Sequence, residues 1–441
     1  MAPILREVTI RPVPHSAVLA VCALLTGTAL ALTWQGLALA GDGSFYLVRV
    51  LGTESVFGPD FRVFANVVRQ APVLIGIAGG VTDTHLLTLL HGVGQLLLPA
   101  IAWSLAVALS RADRVVFAAV AMTAGLCMGT TWFFSVSESV LAAPLTVLVA
   151  VLLWQPRSWH LGSAGLASAA ALILVATYET ALLTGVVLAA WAAWRATRAT
   201  VRLERYGCAL VSALSLLSVL VAVAGSRAGA NPTSSRSFLY FVASLEPWTF
   251  YLGLVGIIAV TVALGSWLRG NARGVTLGLG CGALIAAVVG LEVDTVTAFQ
   301  ARGGAVAAAF LLEVFLCWCW IRGRGSIAEA GDESPARWLV AVPVAFVASM
   351  VVVNVQPVSS WSHSLDAFRA EVDRTNGVVR ADEVLPPGRL DVLWDWSAAS
   401  LSLIVRADRD SGVLVDRDPS FVPFPPAEAR AQIDDEYTWG G

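Results

Sequence analysis

Apolar segments of about 20 residues recur along this chain from Ala17 to about Val355, and nothing else in the sequence limits the fold so severely. A bilayer core about 30 Å thick is crossed by about 20 residues of α-helix. Inside hydrocarbon the backbone amides find partners only within the helix, so a long apolar segment that crosses a bilayer does so as a helix. The 441 residues are 57% hydrophobic and only 13% charged, with a mean hydropathy of +0.74, which excludes an ordinary soluble domain. The expected fold class is therefore an all-α polytopic membrane protein.

Met1–His15 carries Arg6 and Arg11 and precedes the first apolar segment, Ala17–Ala40. Ala38-Leu39-Ala40 has the small-residue pattern of a signal-peptidase site, but the apolar stretch exceeds the about 7 to 15 residues of a signal peptide, so a retained helix is expected. Further spans are expected near His85–Ser110, Val115–Phe133, Ser139–Trp154, Gly162–Thr177, Ala181–Trp194, Gly207–Ala224, Pro247–Leu268, Val275–Gly290, Ala305–Ile321 and Trp338–Val355. These make about 11 transmembrane helices. An odd number places the termini on opposite sides. With the N-terminus inside, 14 arginines fall in cytoplasmic segments against six (Arg49, Arg62, Arg69, Arg227, Arg236 and Arg302) in outer loops before the last span, so the orientation is N-in/C-out. The membrane is expected to be the plasma (inner) membrane.

Two domains follow: 1–355, transmembrane, and 356–441, a small extracytoplasmic α+β C-terminal domain. The second holds fifteen of the chain's thirty-one acidic residues against eight arginines. Ser364–Arg374 reads as a helix there, and Leu390–Trp396, Ser400–Arg406 and Gly412–Val415 read as short strands. So small a segment buries only a modest core and is expected to rest on the outer loops.

Polar chemistry concentrates in the first outer loop, 41–83. Gly41–Gln70 gathers Asp42, Glu54, Asp60, Arg49, Arg62, Arg69 and Gln70 beside the hydrocarbon. Arg62, Asn66, Arg69 and Gln70 fall at helical spacing opposite Phe61, Phe64, Val68 and Ala71, the pattern of an interfacial helix whose polar face looks into any cavity above the membrane. The alternative is that these arginines only meet lipid headgroups. Asp42 either serves chemistry or caps a short helix beginning near Ser44. Glu138 and Glu179 each open a span, where a carboxylate either caps the helix N-terminus or lines an outward-facing site.

Elsewhere the residues read as structural. Gly274, Gly278, Gly282, Ala286 and Gly290 form a small-residue packing ridge. Cys317 and Cys319 point to different helix faces and do not pair as metal ligands, and the six cysteines lie in apolar segments with no disulfide framework. His85 and His91 are poorly spaced as ligands and are expected to line the bundle. Glu313, in mid-span, is either a functional group or a hydrogen-bonded structural one. No Walker loop, HExxH, GxSxG or nucleic-acid-binding patch is present.

The layout, with an acidic residue just after the first span, an interfacial helix in the first outer loop, basic residues in later outer loops and a small outer C-terminal domain, resembles the GT-C superfamily of membrane glycosyltransferases. Its motif-like element is Asp42 in GDGSFY; where many members carry paired acidic residues, Gly43 follows here. The resemblance implies transfer of a sugar from a polyprenyl-phosphate donor to a glycan, lipid or protein acceptor of the envelope. It implies Asp42 as base, Glu179 or Glu54 as second carboxylate, and Arg62, Arg69, Gln70, Arg236 and Arg302 as substrate and phosphate contacts. No metal ligands or organic cofactor are implied, and a divalent-cation requirement is left open. The competing expectations are a lipid or polysaccharide transporter or flippase, for which Glu313 would be the signature, and a non-catalytic envelope assembly protein.

Overall fold

In the computed structural model, the structure describes residues 12–58, 62–131, 138–155, 158–177, 181–228, 308–317, 320, 333–380, 397–408, 411–415 and 433–439. Outside them lie Glu179, Arg236 and Arg302, the segments Pro247–Leu268 and Val275–Gly290 with the glycine ridge, Cys319, and the strand expected at Leu390–Trp396.

The described residues are predominantly helical. In order they form α1 (His15–Trp34), α2 (Asp42–Thr53), α3 (Val63–Ala78), α4 (Thr84–Gly92), α5 (Leu98–Leu109), α6 (Arg114–Thr131), α7 (Glu138–Trp154), α8 (Leu161–Leu174), α9 (Ala181–Arg198) and α10 (Arg202–Ala228). They continue with α11 (Ala308–Cys317), α12 (Glu333–Val353), α13 (Val355–Arg374), β1 (Val378–Arg380), α14 (Ala398–Val405) and β2 (Val413–Val415). The two strands pair in parallel, Val378 with Val413 through Arg380 with Val415.

Among the described residues, three helical stretches are long and apolar enough to cross a bilayer: His15–Trp34, Thr84–Ala112 and Arg202–Gly225. Shorter apolar helices include α3, α7 and α8. Leu19 and Leu30 of α1, Leu216 and Leu220 of α10 and Val352 of α12 point outward, the apolar exterior expected of helices that face lipid. Within α1 the hydroxyls of Thr26, Thr28 and Thr33 donate to the carbonyls of Cys22, Leu24 and Ala29 at 2.7, 2.6 and 2.8 Å, so each hydroxyl proton is satisfied within its own helix. The helix ends at Gln35 and Gly36, the latter left-handed (φ 68°), which shortens the expected first span and turns the chain into a 3-10 turn, Leu37–Leu39.

The stretch Thr84–Ala112 is bent from within. Between α4 and α5, residues Val93–Leu97 form a π turn. Gly94 brings its backbone against α3 there: a Cβ at this position would stand 1.7 Å from the Arg69 carbonyl oxygen. Around this core, α9 and α10 pack as a hairpin, α8 lies on α10, α5 on α7, and α12 on α6, where Asn354 Nδ2 donates to the Gly129 carbonyl at 3.0 Å.

Beyond residue 355 the buried side chains Trp361, Phe368, Leu401, Ile433 and Tyr437 join the same apolar cluster as Leu37, Leu47 and Leu51. The expected strand at Ser400–Arg406 is instead α14. Its Ser/Leu alternation imitates a two-residue period, but Ala398, Ser400, Leu401, Ser402, Leu403, Ile404 and Val405 are all buried, so no face was there for the alternation to mark. The helix expected from Ser364 begins earlier, at Val355, and Gly412–Val415 is borne out as the strand Val413–Val415.

Candidate functional site

Gly41 adopts φ 56° and ψ −124°, a backbone open to glycine, and starts α2 so that Asp42 occupies its first turn. Asp42 therefore does not cap a helix from Ser44; it sits where the positive end of the α2 dipole favours an anion, half-buried. One turn on, Tyr46 projects from the same face, and its hydroxyl donates to Glu138 Oε1 at 3.2 Å. Glu138 opens α7 and is buried. Its second oxygen, Oε2, accepts from Arg62 Nη1 at 3.1 Å. The charge of Arg69 lies close to both Glu138 and Tyr46, and that of Asp42 close to Tyr46. Burial, with Glu138 and Asp42 adding to it, pushes the Tyr46 hydroxyl well above the ordinary tyrosine range against the pull of Arg69 and Arg62, so Tyr46 remains a proton donor.

Helix α3 carries the polar stripe expected of it but turns it inward. Asn66, Arg69 and Gln70 are each 1% exposed, while Val63, Phe64 and Val67 face outward. The stripe faces protein, and the helix runs on to Ala78 as an apolar segment. Its N-terminus abuts the end of α8: the Phe64 and Ala65 amides donate to the Ala176 carbonyl at 3.0 and 3.4 Å. Glu179 follows Ala176 by three positions in sequence and lies outside the described residues.

Gln70 is engaged elsewhere. Its Nε2 donates to the Phe57 carbonyl at 2.6 Å and its Oε1 accepts from the Phe57 amide at 2.8 Å, which latches the 54–58 loop onto α3. Phe45, Tyr46 and Phe57 stack edge-on above it, with Arg49 over the Phe45 and Phe57 rings at 5.2 and 5.4 Å. Below, His91 of α4 is fully buried beside Arg69 and the backbone of Ala38 and Gly43, yet neither ring nitrogen makes a hydrogen bond of normal geometry. His85 is exposed and meets the Trp34 ring edge-on at 6.5 Å, so it does not line the bundle.

Comparison of the chain with protein-family models, with curated proteins and with solved structures finds no match.

The structure brings Asp42, Arg62 and Arg69 together, and adds Glu138 and Tyr46. It does not bring Glu54 to them: Glu54 is the exposed, left-handed residue (φ 47°) at the other end of α2, about 18 Å along the helix axis from Asp42. Tyr46 was overlooked in the sequence although its i+4 spacing from Asp42 was visible; the pairing of Arg62 with Glu138, 76 positions apart, had no sequence signal. A half-buried carboxylate and two guanidinium groups gathered around Tyr46 and Glu138 offer a proton acceptor and an anion site within one cluster.

Proposed function

We propose that the protein is a GT-C-like glycosyltransferase that moves a sugar from a polyprenyl-phosphate donor to an envelope acceptor at the outer face of the plasma membrane, with the N-terminus inside and about 11 spans. The observation that carries the reading is the convergence of Asp42 from α2, Arg62 and Arg69 from the start of α3, and Glu138 from α7 at one end of a bundle of apolar helices. Carboxylates and arginines are costly beside hydrocarbon, and packing alone does not call for them.

In this reading Asp42 takes the proton of an acceptor hydroxyl. The freed oxygen attacks the anomeric carbon, the bond from that carbon to the phosphate oxygen breaks, and the phosphate leaves with the electron pair. Arg62 and Arg69 stabilise the charge that develops on it, because a guanidinium fork matches phosphate oxygens and strengthens away from water. Arg236, Arg302 and Glu179 remain proposed contributors from later loops.

The test is transfer from a panel of labelled polyprenyl-phosphate sugars into membrane acceptors. Asp42→Asn should abolish transfer while leaving expression and membrane insertion unchanged; full activity in that variant would end the assignment. A transporter is the second reading, favoured by Glu313, which is fully buried on α11. It predicts that Glu313→Gln blocks flux of labelled lipid-linked sugar in vesicles while Asp42→Asn does not.

A further inference from the structure

Glu138 has three partners of unequal freedom: it accepts from Tyr46 and Arg62 and lies close to the charge of Arg69. Arg69 is 1% exposed, and its backbone carbonyl lies against Gly94 of the π turn. Tyr46 stands on α2 and donates from an aromatic cluster. Arg62, at the N-terminus of α3, keeps 21% of its side chain exposed while the Glu138 carboxylate keeps 3%. The most accessible partner is thus also the one that a ligand entering from the bundle end would meet first.

We propose that Glu138 is a displaceable counter-ion for Arg62. In the empty protein the carboxylate occupies the guanidinium; an entering phosphate group takes Arg62 from it, while Tyr46 and Arg69 retain Glu138 in place. The exchange is favourable in kind because a phosphate offers more charge and more acceptor oxygens to an arginine fork than a carboxylate does. With its members 21% and 3% exposed, the pair is costlier to open than a surface pair, and the stronger contact of the phosphate with Arg62 offsets that cost. Its buried member is not left alone, which would be costly, since two of its three partners stay. The inference rests on the phosphate-donor reading of the same site and assigns Glu138 a role in positioning and selectivity, not in the bond-making step. The ligand chemistry is a phosphate group, carried either on a lipid or free in solution.

The test uses the full-length protein in lipid nanodiscs, with two probes: a polyprenyl phosphate included in the disc, and inorganic phosphate in the buffer. Removing the competing charge with Glu138→Gln should tighten binding about tenfold, the scale of one charge-assisted hydrogen bond. In an Arg62→Gln background the same substitution should change binding by less than about twofold, because the gain acts through Arg62. Tyr46→Phe, which keeps the ring and removes one hold on Glu138, should weaken binding and covers the case in which Glu138→Gln does not fold. A gain with both probes supports the exchange and names phosphate itself as the ligand; a gain with the lipid probe alone supports it and names the lipid form. Unchanged or weaker binding by Glu138→Gln, a gain that persists without Arg62, or no binding of either probe would overturn it. Transfer by Asp42→Asn reads the catalytic proposal separately: active Asp42→Asn with tightened Glu138→Gln would sink the transferase and leave the counter-ion standing.

Discussion

Arg69 is held from two sides, by its buried side chain beside Glu138 and by its own carbonyl against Gly94. The second contact is backbone on backbone, so it has no side chain that can yield. Gly94→Ala should lower stability by about 1–3 kcal/mol or prevent folding, read as a thermal melt in detergent. Gly165 of α8 provides the comparison, because a Cβ there meets nothing within 4 Å. Gly165→Ala should be neutral or stabilising by about 0.5–1 kcal/mol, as removing a helix-interior glycine generally is. Gln70 makes a similar point about role: both of its amide atoms are engaged by Phe57, so Gln70→Ala should loosen the 54–58 loop at a cost of about 1–3 kcal/mol and act on any ligand only through that loop.

At the scale of elements, α7 shows how helix ends are matched to charge. Its first residue, Glu138, meets the positive end of the helix dipole. At its other end the Leu152 carbonyl accepts from Trp159 Nε1 at 3.0 Å and from Arg195 at 3.3 Å, and the Leu153 carbonyl also accepts from Arg195. Arg195 is buried and pairs with Glu204 at 2.7 Å. Arg195→Met would leave that carboxylate buried without its cation and should cost about 3–5 kcal/mol, with a large part regained in Arg195→Met/Glu204→Gln; paired melts of the two variants decide it. Much of this level was legible in the sequence. Hydropathy located α1 and α4 through α10 because outward-facing and core-facing residues are both apolar, and the α3 stripe was visible at its i, i+4, i+7 and i+8 spacing. What was not legible depended on who covers whom. The α3 stripe pointed somewhere, yet only packing showed that Arg62 meets Glu138 while Gln70 meets Phe57. The Ser400–Arg406 alternation misled because a segment buried on every side carries no periodic signal.

At the scale of the whole molecule, residues 433–439 close over α2, the turn before α4 and α14. The Thr438 amide and carbonyl pair with the Thr82 carbonyl and the Thr84 amide, both at 2.9 Å. Trp439 donates to the Leu403 carbonyl at 3.1 Å, and Arg406, ion-paired with Asp434, lies 4.1 Å from the Trp439 ring centroid. Tyr437 reaches the Leu51 carbonyl and Glu54, each at 3.4 Å. Burial, followed by the neighbouring charges of Glu54 and Glu436, raises the Tyr437 hydroxyl above its ordinary value. A raised folded value means that this docking is fully present below the unfolded tyrosine pKa of about 10 and is lost as pH climbs beyond it. Limited proteolysis of the segment should thus be constant from neutral pH to about 10 and accelerate above it, and Tyr437→Phe should remove that pH dependence. For the proposed topology, a periplasmic reporter fused after Gly441 should be active and a cytoplasmic one silent.

The Tyr437 contact also sets an order of events. It joins residues 383 positions apart, so α2 can acquire this partner only after the whole of the intervening chain has been made. During synthesis the Glu54 end of α2, about 18 Å from Asp42, lacks that partner until residue 437 has been made. A chain stalled before residue 437 would carry Asp42, Arg62, Arg69 and Glu138 and still lack the clasp that holds the far end of α2.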